Sequence, residues 1–222
     1  MVQLYILNCD IVTDQQYRFL YQKVSLDRRQ RADRFRLPIS ATHCVCGELL
    51  VRFALSQVLA PVKPDPVTFL KEEKGKPYNV EYPCFHYNLS HSQRWLVCAT
   101  ACTPVGVDVE HMAPKNLNLS KAIFSSAEQQ RYHLLPEERK EDFFYRIWTG
   151  KESYLKYIGC GINLPLKNLS IHEPVVFHLN KTAPGFLAYH NIDPEYRFAT
   201  FSEDETSSSC VREVTIPELE EL

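Results

Sequence analysis

Three short stretches hold residues whose types and spacing could do chemistry. In Val105-Gly106-Val107-Asp108-Val109-Glu110, strand alternation puts the valines on one face and Gly106, Asp108 and Glu110 on the other. Neighbouring carboxylates repel unless something positive lies between them. A hard cation such as Mg²⁺, which takes oxygen ligands, relieves that repulsion, and so does water at an exposed strand end. In Trp148-Thr149-Gly150-Lys151-Glu152-Ser153-Tyr154-Leu155-Lys156, Glu152 and Lys156 are four apart and share a helix face. They read either as a surface ion pair or, beside Trp148 and Leu155, as a partly buried carboxylate and ammonium able to hold a metal and a phosphate. In Asn88-Leu89-Ser90-His91-Ser92, a Ser-His pair suggests a hydrolase, a phosphate contact or a plain polar turn. No G-x-S-x-G elbow accompanies it, and adjacent residues are poorly placed for one to activate the other. Together the three stretches offer oxygen ligands and cationic contacts, as moving a phosphate ester requires.

The elements that must position these residues follow from periodicity. Gln3 to Leu7 alternates as a strand, and Thr13-x-x-Gln16 is a capping box that opens a helix. Ser25 to Arg36 holds the one basic cluster: Arg28, Arg29, Arg31, Arg34 and Arg36. After Pro38 comes a long helix with Val45, Leu49, Leu50, Phe53, Ala54 and Val58 on one stripe. A proline-rich stretch with a strand near Val67 to Leu70 and the turn Lys74-Gly75-Lys76-Pro77 separates it from three strands. These are Phe85 to Leu89, Trp95 to Thr100 and Val105 to Glu110, spaced for antiparallel hairpins. Ser126-x-x-Gln129 is a second capping box, and Pro136-Glu137 opens a helix that runs to about Ile158 and stops at Gly159. Short strands follow near Leu169, Val175 to Leu179, Phe186 to Tyr189, Tyr196 to Phe201 and Val211 to Thr215. The expected class is α+β, with two halves, 1–103 and 104–222, joined at Ala101 to Pro104. Each half has a long helix and a small antiparallel sheet.

Composition bounds the rest. The 222 residues are 45% hydrophobic and 23% charged, an ordinary globular balance long enough to bury a core without staples. A formal net charge of −2 excludes a general nucleic-acid binder, which needs surplus Lys and Arg on at least one face. Eight cysteines without a C-x-x-C pair read as reduced thiols of a cytoplasmic protein. The N-terminus lacks a basic n-region, and the uncharged stretch Trp95 to Val107 is too short to span a bilayer and contains Pro104. The expectation is a soluble monomer with no membrane contact.

The sequence resembles the phosphopantetheinyl transferases of the surfactin-synthetase type. Their G-[IV]-D-x-E strand reads here Gly106-Val107-Asp108-Val109-Glu110, and their W-[ST]-x-K-E-[SA]-x-x-K helix, about 40 residues on, reads Trp148 to Lys156. The N-[IL]-S-H-S turn, the G-K-P turn and the basic opening segment also match. The resemblance implies a pseudo-dimer of two α+β halves with coenzyme A and Mg²⁺, or Mn²⁺, between them. It also implies the reaction, in which a serine hydroxyl of an apo acyl or peptidyl carrier protein attacks the β-phosphate of coenzyme A and releases 3′,5′-ADP. Position by position it makes Asp108, Glu110 and Glu152 metal ligands and Lys156 a pyrophosphate contact. Ser90 and His91 become phosphate contacts, Arg28 and Arg31 contacts to the 3′-phosphate, and Lys76 a residue at the adenine end. Glu128 matches the general base, with Lys151 helping to position the base or the leaving group. Cys44 departs from the pattern, because relatives often carry there an arginine directed at the 3′-phosphate. Lys115 and Lys121 are the basic residues expected to face an acidic carrier. Competing readings are a non-catalytic coenzyme A- or carrier-binding relative and a serine hydrolase using Ser90 or Ser92 with His91.

Overall fold

A computed structural model describes residues 1–59, 69–71, 77–79, 82–113, 118–160, 164–179, 181–204 and 210–222, the two three-residue pieces as backbone only. The fold mixes helices with small sheets. The first strand, β1 (Gln3–Asn8), leads through the Thr13–Gln16 capping box into α1 (Asp14–Lys23), then α2 (Leu26–Ala32) and α3 (Pro38–Leu59). The short strands β2 (Phe69–Lys71) and β3 (Pro77–Asn79) pair with each other. They precede β4 (His86–Ser92), β5 (Trp95–Ala101) and β6 (Val105–His111). The second half continues with α4 (Ser120–Ile123), α5 (Ser126–Leu134) and α6 (Glu137–Ile158). Strands β7 (Leu169–His172), β8 (Val175–His178), β9 (Lys181–Thr182), β10 (Phe186–His190), β11 (Tyr196–Ser202) and β12 (Cys210–Glu213) follow, and α7 (Ile216–Glu220) ends the chain.

By length and composition alone α3 could cross a membrane. Instead it is a core helix, buried at every residue from His43 to Leu55 except Arg52. The expected stripe is therefore wider than one face and stops short of Val58, which is 61% exposed.

Two sheets carry the architecture. One has the order β12-β1-β5-β4 and the other β10-β11-β6. Helix α3 packs on one face of the first through Tyr5, Leu7, Leu96 and Cys98, and α6 packs on the second through Tyr154, Leu155, Ala199 and Phe201. The remaining faces meet each other. Leu4, Ile6, Val97 and Ala99 of the first sheet share a core with Val105, Val107, Val109, Tyr196 and Phe198 of the second. The layers are thus helix, sheet, sheet, helix, and the valine face of β6 is buried, as strand alternation requires.

Two expectations of topology need correction. Strands β4 and β5 form the expected hairpin, but β6 does not pair with β5; it leaves after Ala101 and joins β11 antiparallel. Both edges of β5 are already taken, by β1 and β4, and the valines of β6 cover the open face of that sheet instead. The last strand also does not stay with residues 104–222. β12 returns to pair parallel with β1, and Val214, Ile216 and Leu219 enter the α3 core.

Strand β6 lies directly against α6. A Cβ on Gly106 would fall 2.0 Å from the Ser153 carbonyl oxygen and 2.5 Å from the Tyr157 nitrogen. Only a residue without a side chain permits this approach, which is what a glycine inside a strand commonly signals. Gly106→Ala is expected to destabilise the protein by about 1–3 kcal/mol through overpacking, read as a lower urea midpoint with an unchanged slope.

Candidate active site

The crossing at Gly106 carries Asp108, two residues on, to α6. Asp108 is 4% exposed. Its Oδ1 accepts hydrogen bonds from Lys156 Nζ at 2.7 Å and Ser90 Oγ at 2.9 Å. Ser90 Oγ in turn accepts from Lys156 Nζ at 2.8 Å and from the Val109 amide at 3.3 Å. The Ser90 hydroxyl is thereby fully used, with one proton given and two received. The partner of Lys156 is thus Asp108 rather than Glu152, so the i,i+4 surface pair that sequence spacing allowed does not form.

Asp108 Oδ2 is buried without a hydrogen-bond partner. An orphaned carboxylate oxygen in a packed site is costly and marks a place where a cation would be stabilising. Two more carboxylates, Glu110 and Glu152, feel its charge. Burial first, then the charge of Asp108, pushes the Glu110 carboxyl up to about 7. Burial and Asp108 likewise raise Glu152 above the usual carboxylate range. Glu110 Oε2 accepts from Ser92 Oγ at 3.2 Å. Among the described residues no three such side chains are yet arranged about one point as metal ligands, and the Lys156 ammonium is the nearest counter-charge. The donor set of carboxylate oxygens, one of them orphaned, fits a hard divalent cation.

A basic and aromatic patch adjoins these acids. The His91 ring stacks on His43 with centroids 4.5 Å apart. Burial, Lys156 and Arg31 all hold its pKa below the ordinary histidine value. His43 is buried, its Nε2 has no partner, and burial pushes its pKa down to about 4. Arg31 is exposed. Arg28 is half engaged: its Nε lies 3.4 Å from Glu48 Oε2 and its Nη1 4.0 Å from Cys44 Sγ. Glu48 also accepts the Ser25 amide and hydroxyl at 2.9 and 2.8 Å, tying the start of α2 to α3. Arg29 is spent on the Val24 and Gln22 carbonyls, so the arginine cluster is only partly available to a ligand. Lys76 and Lys115 lie outside the described residues.

The Glu128 and Lys151 side chains form a separate pair. The capping box of α5 is Ser125 with Glu128, one residue before the expected Ser126 and Gln129. Glu128 is 1% exposed and Lys151 0%. Lys151 Nζ donates to Glu128 Oε2 at 2.5 Å, to the Ile123 carbonyl at 2.8 Å and to the Leu166 carbonyl at 3.1 Å. Glu128 also accepts the Ser125 and Ile171 amides, each at 2.8 Å. Every proton of the ammonium is used and both carboxylate oxygens are occupied. Glu128 therefore does not fit the base role that the resemblance implied, because a carboxylate sealed from solvent and held by three hydrogen bonds does not face a substrate. The pair fastens α5, α6 and β7 together.

Comparisons with known proteins bear on this geometry. Residues 104–208 match the sequence profile of the 4′-phosphopantetheinyl transferase superfamily, and residues 12–103 match that of a 4′-phosphopantetheinyl transferase N-terminal region. The chain is 33% identical to a 4′-phosphopantetheinyl transferase of Bacillus subtilis over 79% of its own length and 80% of the relative's. It is also 33% identical to 4′-phosphopantetheinyl transferase psf-1 of Bacillus pumilus, over 86% and 84% of the two chains, and to 4′-phosphopantetheinyl transferase Sfp of Bacillus subtilis strain 168, over 79% and 80%. The chain belongs to the 4′-phosphopantetheinyl transferase superfamily.

Within this transferase the helix signature divides by direction. Thr149, Gly150, Lys151 and Ser153 are buried structural residues, and Gly150 touches Ile171 and Tyr189 so closely that a Cβ would clash. Glu152 and Lys156 are half-buried on the side that meets Asp108. Neither Ser90 nor Ser92 is hydrogen-bonded to His91, so the hydrolase pairing is not built. Sequence reasoning missed the His43–His91 stack and the use of Glu48. It also missed that Asn88, Ser90 and Ser92 act as a set, although three polar residues at period two on a strand were a readable signal. If the buried pair is structural, Glu128→Gln will cost about 3–5 kcal/mol of stability by leaving the Lys151 charge unpaired. Glu128→Leu combined with Lys151→Met should recover most of that loss in urea unfolding.

Proposed function

We propose that the transferase works as a two-half pseudo-dimer that holds coenzyme A along the patch from Arg28 and Arg31 to Lys156, with a divalent cation on Asp108, Glu110 and Glu152. The observation that carries this reading is the orphaned Oδ2 of Asp108, flanked by two carboxyls that hold protons more tightly than usual and by one ammonium. Three acids crowded against one lysine have a charge deficit that suits a metal and a pyrophosphate together. A non-catalytic binder would have no use for them.

The chain's own residues have definite tasks. Lys156 would rotate from Asp108 to a pyrophosphate oxygen and His91 would offer a ring N–H to the phosphates, while Ser90, its proton given to Asp108, holds that carboxylate in place. Mg²⁺ or Mn²⁺ bound there would supply the charge that offsets the build-up on the leaving 3′,5′-ADP. The carrier serine oxygen forms a bond to the β-phosphorus as the bond from that phosphorus to the 3′,5′-ADP oxygen breaks. Glu152, half-buried beside Lys156, takes the serine proton on a carboxylate oxygen not given to the cation. An acidic carrier would approach the open cleft of about 530 Å³ lined by Lys121, His133 and Lys167, where charge complementarity favours it.

The test is intact mass spectrometry of an apo carrier incubated with coenzyme A. Addition of one phosphopantetheine arm should require Mg²⁺, stop with EDTA and fall by about 100-fold or more in Glu152→Gln, the lower end of a general base's contribution. Unchanged transfer by that variant would remove Glu152 from the reaction. No addition on several carriers, with coenzyme A still bound by calorimetry, would favour the non-catalytic reading.

At the 3′-phosphate end, Cys44 is 7% exposed and its Sγ donates to the Arg28 carbonyl at 3.9 Å, so this position brings no charge. Arg28 and Arg31 remain, one of them shared with Glu48. Preference for coenzyme A over its 3′-dephospho form is expected to be modest, about 10- to 100-fold in kcat/KM, the size of one or two charge-assisted contacts. Equal turnover of both forms would show that Arg28 and Arg31 do not contact the phosphate.

A further inference from the structure

The two sheets meet along β4 and β6, which are the edge strands of each. Edges normally join through backbone ladders. Here the amides of β6 that face away from β11 are taken by side chains of β4. The Val107 amide donates to Asn88 Oδ1 at 2.9 Å, the Val109 amide to Ser90 Oγ at 3.3 Å and the His111 amide to Ser92 Oγ at 3.0 Å. Each donor sits 19 positions after its acceptor, so the seam has one register over three steps. The hydroxyls that receive these amides also give their own protons to the acids between them. Ser90 Oγ donates to Asp108 Oδ1 and Ser92 Oγ to Glu110 Oε2.

We propose that Asn88 and Ser92 are positioning residues for the metal carboxylates: the β4 side-chain ladder fixes the register of β6 and aims Asp108 and Glu110 at the cation. This rests on the metal reading above. Asn88 sets the register one step before Asp108, so that the Val107 amide is satisfied and the strand cannot shift along β4. Ser92 acts on Glu110 directly. Its hydroxyl has one proton, and giving it to Oε2 fixes that oxygen and leaves Oε1 to turn toward the cation. A ligating carboxylate whose second oxygen is hydrogen-bonded has less freedom to lose on binding, which is why such outer partners commonly matter about 10- to 100-fold in metal affinity. Neither residue needs to touch substrate, so the effect should fall on the metal and not on coenzyme A.

The test uses full-length Ser92→Ala, Ser92→Thr and Asn88→Ala. Mn²⁺ affinity of the coenzyme A complex is read by EPR of the free ion, against coenzyme A alone as blank. Ser92→Ala should weaken Mn²⁺ by about 10-fold and raise the Mg²⁺ concentration for half-maximal transfer in parallel. KM for coenzyme A should stay within about twofold, and Ser92→Thr, which keeps the hydroxyl, should return most of the lost affinity. Asn88→Ala should speed amide exchange in the β6 peptide and weaken Mn²⁺ through register alone. Wild-type Mn²⁺ affinity in Ser92→Ala, or unchanged β6 exchange in Asn88→Ala, would overturn the proposal. A wild-type protein that transfers the arm with no divalent cation would instead sink the metal reading, while the exchange rates would still report on the ladder.

Discussion

The close crossing of β6 over α6 is the constraint on which the site depends. A strand and a helix can approach until backbone meets backbone only where one of them has no side chain, and Gly106 supplies that point with the Ser153 carbonyl and Tyr157 amide opposite. The three acids and Lys156 lie within two strand repeats or one helical turn of it. Asp108 and Glu110 are two and four residues along β6, while Glu152 and Lys156 flank Ser153 and Tyr157 on α6. With wider spacing Lys156 Nζ would not reach Asp108 Oδ1 at 2.7 Å. The valines on the opposite face of β6 hold the crossing in place, because they are buried in the core shared by the two sheets.

Two lysine–carboxylate systems stand on the same helix and show how environment divides similar groups between roles. In the Glu128–Lys151 pair every polar atom has a partner and water is excluded, so the charges are neutralised and locked. Such a pair is strong where it is and unsuited to proton traffic, because any change of protonation leaves a buried charge alone. In the Asp108–Lys156 system one carboxylate oxygen is unsatisfied, Lys156 remains 28% exposed, and two further acids crowd in. Incomplete satisfaction is what leaves room for ligands, while burial and the neighbouring Asp108 charge push the Glu110 carboxyl up to about 7.

Much of this was legible in the sequence because it is written at short range. The capping box at Thr13 and Gln16, the stop at Gly159 and the two faces of β6 all follow from period and residue type. Spacing put Asp108 and Glu110 on one strand face and Glu152 and Lys156 on one helix face, but it left their roles open, and those came from the resemblance. What escaped was set by tertiary competition. Nothing local says that β6 should abandon β5 for β11, because the choice depends on which open apolar face its valines can cover. Nothing local says that β12 should cross back to β1. The identity of the buried pair was hidden too. Glu128 and Lys151 are charged residues of ordinary appearance, and only the packing of α5, α6 and β7 shows that both are sealed.

The side-chain seam between β4 and β6 explains why the sheets were not simply fused. In a continuous sheet the carbonyls of β4 would accept the amides of Val107, Val109 and His111, and its side chains would point above and below the sheet. No hydroxyl would then lie between neighbouring acids. Substituting Asn88, Ser90 and Ser92 for those carbonyls satisfies the same amides with groups that, in the two serines, also carry a proton to give. Asp108, Glu110, Lys156 and His91 are found along this joint. Of the three side chains that close this seam, the two serines are thus also the ones that hydrogen-bond Asp108 and Glu110.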